Sequence, residues 1–93
     1  MEIQLKDIDE EQRVYITDGV VTIGRNGCDV NLNDVKVSTH HCSMYLHSDQ
    51  LSLVDNSSTN GTFVNGLKVG KKELNNLDTI IIGTTHIRVR REK

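Results

Sequence analysis

The chain has 93 residues and a mass of 10.5 kDa, enough for one domain with one modest core. Its formal charge of −2 lacks the positive excess of a nucleic-acid binder, and no run approaches the ~20 apolar residues that span a bilayer. It holds no Pro, no Trp and no Ala, whereas β-branched Val, Ile and Thr are plentiful, so the composition points to an all-β domain.

Ile3 to Leu5 and Arg13 to Thr17 read as the first strands, and Asp18-Gly19 reads as a tight hairpin signal. Val20 to Gly24 follows, then a long polar stretch with an apolar pulse at Val30 and Leu32. Cys42 to His47 alternates, with Cys42, Met44 and Leu46 on one face. Ser48-Asp49 turns the chain into Gln50 to Asp55, where Leu51 and Leu53 share a face. Asn60-Gly61 and Asn65-Gly66 are turn signals on either side of Phe63-Val64. Val69 and Leu74 mark short strands, and Leu77 to Ile82 reads as a buried strand. Gly83-Thr84-Thr85 turns into His86 to Arg91, with Ile87 and Val89 facing in and Arg88 and Arg90 out. No window carries capped helical periodicity, so no substantial helix is expected. Closely spaced short strands of this kind predict a β-sandwich.

The N-terminus has no apolar core like that of a signal peptide, and two distant Cys do not make a disulfide framework. A cytoplasmic setting is the simplest reading of that cysteine usage. Nothing in a chain of this size decides between a complete protein and an excised module.

Function on a sandwich usually resides in loops at one end. Three loops carry specific polar residues: Gly24-Arg25-Asn26-Gly27, Val37-Ser38-Thr39-His40-His41, and Asn56 through Thr62. Arg25 offers a guanidinium fork suited to phosphate or carboxylate. Ser38, Ser58 and Thr59 offer hydroxyls, and Asn60 an amide that can hold a peptide backbone. Neither the Ser38–His41 nor the Ser57–Thr62 stretch contains Asp or Glu. Such a set would grip an oxyanion ester on an extended chain and has no means of cleaving it.

Gly24-Arg25, Asp29-Val30-Asn31-Leu32, Val37-Ser38-x-x-His41 and Ser58-x-Asn60-Gly61-Thr62-Phe63-Val64-Asn65-Gly66 together resemble the signature of the forkhead-associated (FHA) domain. The resemblance covers about residues 20–90 of a single domain spanning 1–93. It implies an eleven-strand β-sandwich that binds phosphothreonine peptides. In that family's terms Arg25 would pair with the phosphate and Ser38 would donate to it. Thr59 would help close the pocket around the γ-methyl, and Asn60 would hold the peptide backbone. Gly24, His41, Ser58, Gly61, Asn65 and Gly66 would be structural supports. Many members carry Arg, Lys or Asn after the serine. Here Thr39 offers a hydroxyl and a main-chain N–H but no charge, so Lys36 could take over that contact. In the family, the neighbourhood of Lys36 also helps read the residue three places after the phosphothreonine, and the Gly83–Thr85 turn can meet the same side chain.

Two other chemistries are weaker. Ser38 with His41 lacks a nucleophile elbow and a placed acid. Cys28, His40, His41 and Cys42 match no common zinc spacing, and neighbouring strand residues point to opposite faces. The expectation is therefore a non-enzymatic module with no metal or cofactor. Its partner would be a phosphothreonine protein, a substrate of a Ser/Thr kinase, with no role for nucleic acid or membrane insertion. The alternative is an FHA-like scaffold that binds an unphosphorylated protein surface. Phosphorylated and unphosphorylated forms of one peptide separate the two.

Overall fold

The structure, a computed structural model, describes the backbone of residues 2–6, 11–15 and 19–90, and the side chains of residues 19–90. Eleven strands run through the described residues: β1 (Glu2–Lys6), β2 (Glu11–Tyr15), β3 (Gly19–Gly24), β4 (Val30–Asn31), β5 (Cys42–His47), β6 (Gln50–Asp55), β7 (Thr62–Val64), β8 (Leu67–Val69), β9 (Lys71–Leu74), β10 (Thr79–Ile82) and β11 (Thr85–Arg90). Nine of them, β3 to β11, have described side chains. There is no helix among the described residues.

The strands form two sheets, ordered β2-β1-β11-β10-β7-β8 and β4-β3-β5-β6-β9. Ile23, Met44, Leu51, Leu53 and Leu74 of the second sheet share one buried cluster with Val64, Ile80, Ile82, Ile87 and Val89 of the first. One common core between two sheets is the definition of a sandwich, so the expected all-β class holds. The alternation read from sequence is what drives it. Thr85, Ile87 and Val89 of β11 are buried while His86, Arg88 and Arg90 are exposed. Cys42 and Met44 of β5 are buried while Tyr45 is exposed.

Two turns close hairpins through positive φ at both central residues: Ser48-Asp49 (φ 48° and 64°) and Asn65-Gly66 (φ 50° and 86°). This is the backbone of a primed turn, whose twist matches that of the strands it joins.

Two sequence expectations are corrected. Asp18-Gly19 does not close a hairpin, because β2 pairs with β1 while β3 pairs with β4 and β5 in the other sheet. Asp18 itself, with Ile16, Thr17 and Arg91, lies outside the described residues. Leu77 does not belong to the buried strand. It is 55% exposed with φ of 70°, and β10 begins at Thr79. The carboxylate of Asp78 explains this, since it accepts the Asn75 N–H at 2.7 Å and closes a turn at the start of the apolar run.

Candidate functional site

Register brings one set of strand ends together. Ile23 lies opposite Cys42 and Cys42 opposite Asp55 in one sheet. In the other, Thr62 lies opposite Ile82 and Ile82 opposite Thr85. The Thr62 hydroxyl donates to Asp55 Oδ1 at 2.6 Å and ties the two sheets at this end. Three loops and one turn emerge here: residues 25–29, 32–41, 56–61 and 83–84.

The loops bond to each other directly. Arg25 N–H donates to the Ser38 carbonyl at 3.0 Å. Thr59 N–H donates to Ser38 Oγ at 3.0 Å. The Asn60 side-chain amide donates to the Lys36 carbonyl at 2.8 Å. Arg25, Lys36, Thr39, Thr59 and Asn60 are all exposed and Ser38 is half-buried. Five of the six residues expected to touch a ligand are thus joined by direct hydrogen bonds between three chain segments, and Thr39 adjoins Ser38. Ser38 Oγ accepts from Thr59, which leaves its own proton available to a ligand. Asn60 spends one of its two N–H groups on Lys36 and keeps the other, with Oδ1, for further bonds.

The supports lie beneath. His41 is fully buried, with Nδ1 accepting Ser38 N–H at 3.1 Å and Nε2 facing the Gly61 carbonyl at 2.9 Å. An Nδ1 that accepts fixes the tautomer, so Nε2–H donates to Gly61. One ring thereby pins the Ser38 loop to the Gly61 loop. Both ring nitrogens are engaged by the chain, which leaves neither for a metal or a nucleophile. Gly24 permits a close approach: a Cβ there would stand 2.1 Å from the Thr39 carbonyl oxygen and 2.8 Å from Cys28 Sγ. The Cys28 thiol donates to that same carbonyl at 3.3 Å. Ser58 Oγ donates to Asp55 Oδ1 at 2.5 Å and accepts Gly61 N–H at 3.1 Å. Gly61 is buried with φ of +90°, a conformation that suits glycine.

Asn65 and Gly66 sit elsewhere. Asn65 N–H donates to the Thr79 carbonyl and Nδ2 to Asp78 Oδ1, while its Oδ1 accepts Thr79 N–H. Thr79 starts β10, whereas the loops gather where β10 ends. This pair therefore organises the opposite end of the sandwich, remote from the three loops.

Two carboxylates were not among the expected site residues. Asp55 accepts Ser58 N–H, Ser58 Oγ and Thr62 Oγ1. Burial alone would raise its pKa, but the bonds from Ser58 and Thr62 prevail and hold it below the usual carboxylate value. Asp34 accepts Thr84 N–H at 2.8 Å, Thr84 Oγ1 at 2.7 Å and Lys36 N–H at 2.9 Å. The Thr84 N–H and then the Lys36 N–H are the main causes of its lowered pKa. Both have a local sequence signal, because Asp commonly accepts the N–H two or three residues on. The Asp34–Thr84 link, which locks the 83–84 turn to the Lys36 loop, has none. Cys42 is buried, and burial followed by the charge of Asp55 pushes its thiol up to about 12, so it stays protonated and unreactive.

The FHA domain family profile matches residues 21–83, more than half of the chain. The chain belongs to the FHA domain family. Relatives by sequence include the DNA damage response protein kinase DUN1 of Saccharomyces cerevisiae, 40% identical over 80% of this chain. The glycogen accumulation regulator GarA of Mycobacterium tuberculosis is 35% identical over 76% of it. The chain spans only 17% of the length of DUN1 and 44% of GarA. A solved structure of phosphothreonine-dependent FHA domain interactions aligns over all of this chain and 99% of its own, with a TM-score of 0.91 and 29% identity. The FhaA FHA domain, solved in complex with the intracellular domain of another protein, gives a TM-score of 0.86 and 31% identity over 95% of this chain and 99% of its own. No helix among the described residues of this FHA domain is long and apolar enough to cross a membrane.

Proposed function

We propose that this FHA domain is a non-enzymatic interaction module that binds phosphothreonine peptides and recruits partners modified by a Ser/Thr kinase in the cytoplasm. It acts as one domain over residues 1–93. The observation that carries the reading is the hydrogen bond from Thr59 N–H to Ser38 Oγ. It joins two loops and leaves the serine proton free to donate, beside the segment that carries Arg25. Arg25 pairs with the phosphate, Ser38 donates to a second phosphate oxygen, Thr59 closes the pocket, and Asn60 holds the peptide backbone with its remaining amide groups. Lys36 and Thr39 supply the adjacent charge and hydroxyl. The likeness to the solved phosphothreonine-dependent FHA domain supports the same assignment.

A hydrogen bond to a charged group contributes about 1.5–3 kcal/mol net. Three or four of them, less the cost of ordering a peptide, give about −8 kcal/mol, or micromolar affinity. Titration calorimetry with one peptide in phosphorylated and unphosphorylated form tests the reading. Only the phosphorylated form binds, and Arg25→Ala abolishes detectable binding. Equal affinity for the two forms would instead make the surface a phosphate-independent scaffold.

A further inference from the structure

Lys68 lies on β8 opposite Phe63, one residue past the partner of Thr62. Its stem crosses Gly61: the position of a Gly61 Cβ is 2.9 Å from Lys68 Cε, 3.4 Å from Cδ and 3.5 Å from Cγ. Gly61 is two residues from Thr59, whose N–H bonds Ser38 Oγ, so the residue this stem covers is at most about 7 Å along the backbone from the one that contacts Ser38. The Asn65-Gly66 turn fixes the register of β8, and packing against Gly61 narrows the freedom of the stem while leaving the ammonium in water.

The charge balance at this end is uneven. Asp34 and Asp55 are both occupied by backbone and hydroxyl donors. The charge of Lys36 acts on Asp34, whereas no carboxylate pairs with Arg25 or Lys68 among the described residues. A phosphate can satisfy the arginine. It leaves a second cation, pre-positioned along the loop that holds Asn60, without an anion.

We propose that Lys68 reads a carboxylate on the ligand, so that the preferred peptide carries Asp or Glu a few residues from its phosphothreonine. This rests on the phosphothreonine reading and adds a contact from a strand rather than from the loops. An extended peptide advances about 3.4 Å per residue. The Lys68 ammonium therefore serves a side chain roughly two to four residues from the phosphothreonine, on the flank that passes over Gly61.

The test is a set of phosphothreonine nonapeptides on an alanine background, each with a single Glu at one flanking position, measured by calorimetry. An exposed charge pair sets the scale, so wild-type protein gains two- to five-fold in affinity from Glu on one flank. That gain disappears in about 1 M salt. In Lys68→Met, which keeps a stem over Gly61, the ratio between the Glu-bearing and all-alanine peptides falls to about one. In Arg88→Gln, which removes the same charge from the outer face of β11, the ratio is retained. A Glu preference that survives Lys68→Met, or no preference at any position, overturns the proposal while phosphate-dependent binding stands. If the all-alanine phosphopeptide itself fails to bind, the phosphothreonine reading falls first and this one with it.

Discussion

Replacing His41 by Ala removes one ring that is bonded at both nitrogens. The Ser38 N–H loses its acceptor at 3.1 Å and the Gly61 carbonyl loses its donor at 2.9 Å. The ring is fully buried, and each buried polar group left unpaired costs about 1–3 kcal/mol. Two such groups cost about 2–6 kcal/mol, and loss of the packed imidazole adds a cavity term, so the total is at least about 3 kcal/mol. A domain of 93 residues holds about 5–14 kcal/mol in all, which leaves the variant folded but fragile. Urea unfolding followed by circular dichroism measures the first effect. Calorimetry at 10 °C without denaturant measures the second: affinity for a phosphothreonine peptide falls at least tenfold, because the Ser38 and Gly61 segments are no longer held in register. A stability loss under about 1 kcal/mol would refute the bridging role of the ring. A full stability loss with unchanged affinity would show that the two loops do not need this brace to bind.

Gly24→Ala places a methyl 2.1 Å from the Thr39 carbonyl oxygen, so backbone must move; unfolding free energy drops by about 2–4 kcal/mol and phosphopeptide affinity drops with it, as denaturation and calorimetry on one preparation will report. Asp55 and Asp34 have lowered pKa values, so their contribution is present above the ordinary carboxylate value near 3.8 and is lost as pH falls through the lower folded values. The urea midpoint should accordingly decline as pH falls below about 4, and Asp55→Asn should flatten that decline; an identical slope in the variant would rule out Asp55 as a contributor. Phosphate loses its second charge below a pKa of about 6. Peptide affinity should weaken from pH 7 to pH 5, and a flat profile would argue against a site for the dianion. Asn65→Ala removes two side-chain hydrogen bonds at the far end of β7, so the melting temperature falls by several degrees while phosphopeptide affinity stays within twofold.

Local chemistry already fixed most of the strands in the sequence. The alternation of Cys42 to His47 and of His86 to Arg90 is set by which side chains avoid water, and it persists in the folded chain, where the strand also takes in Thr85 from the expected turn. Asn65-Gly66 closes a hairpin because both residues tolerate positive φ wherever they occur. The residues of the candidate site were legible as well, since Arg25, Ser38, Thr59 and Asn60 stand in loops with nothing apolar to do. Two local signals misled. Asp18-Gly19 carries the chemistry of a hairpin, yet β2 and β3 enter different sheets. Leu77 belongs to an apolar run, yet the Asp78 carboxylate turns the chain before the strand begins.

Composition and spacing thus determined the class of fold, the strand faces and the donors available to a ligand, because each of these depends on a few neighbouring residues. Tertiary structure alone decided which donors meet. Ser38 and Thr59 are 21 residues apart, Lys36 and Asn60 are 24 apart, and Asp34 and Thr84 are 50 apart. Those pairings follow from the register of two sheets closed over one core, and a hydrogen bond across such a gap leaves no periodic trace in the chain. The same holds for Lys68, whose place over Gly61 depends on the pairing of β7 with β8 and on the absence of a side chain at residue 61.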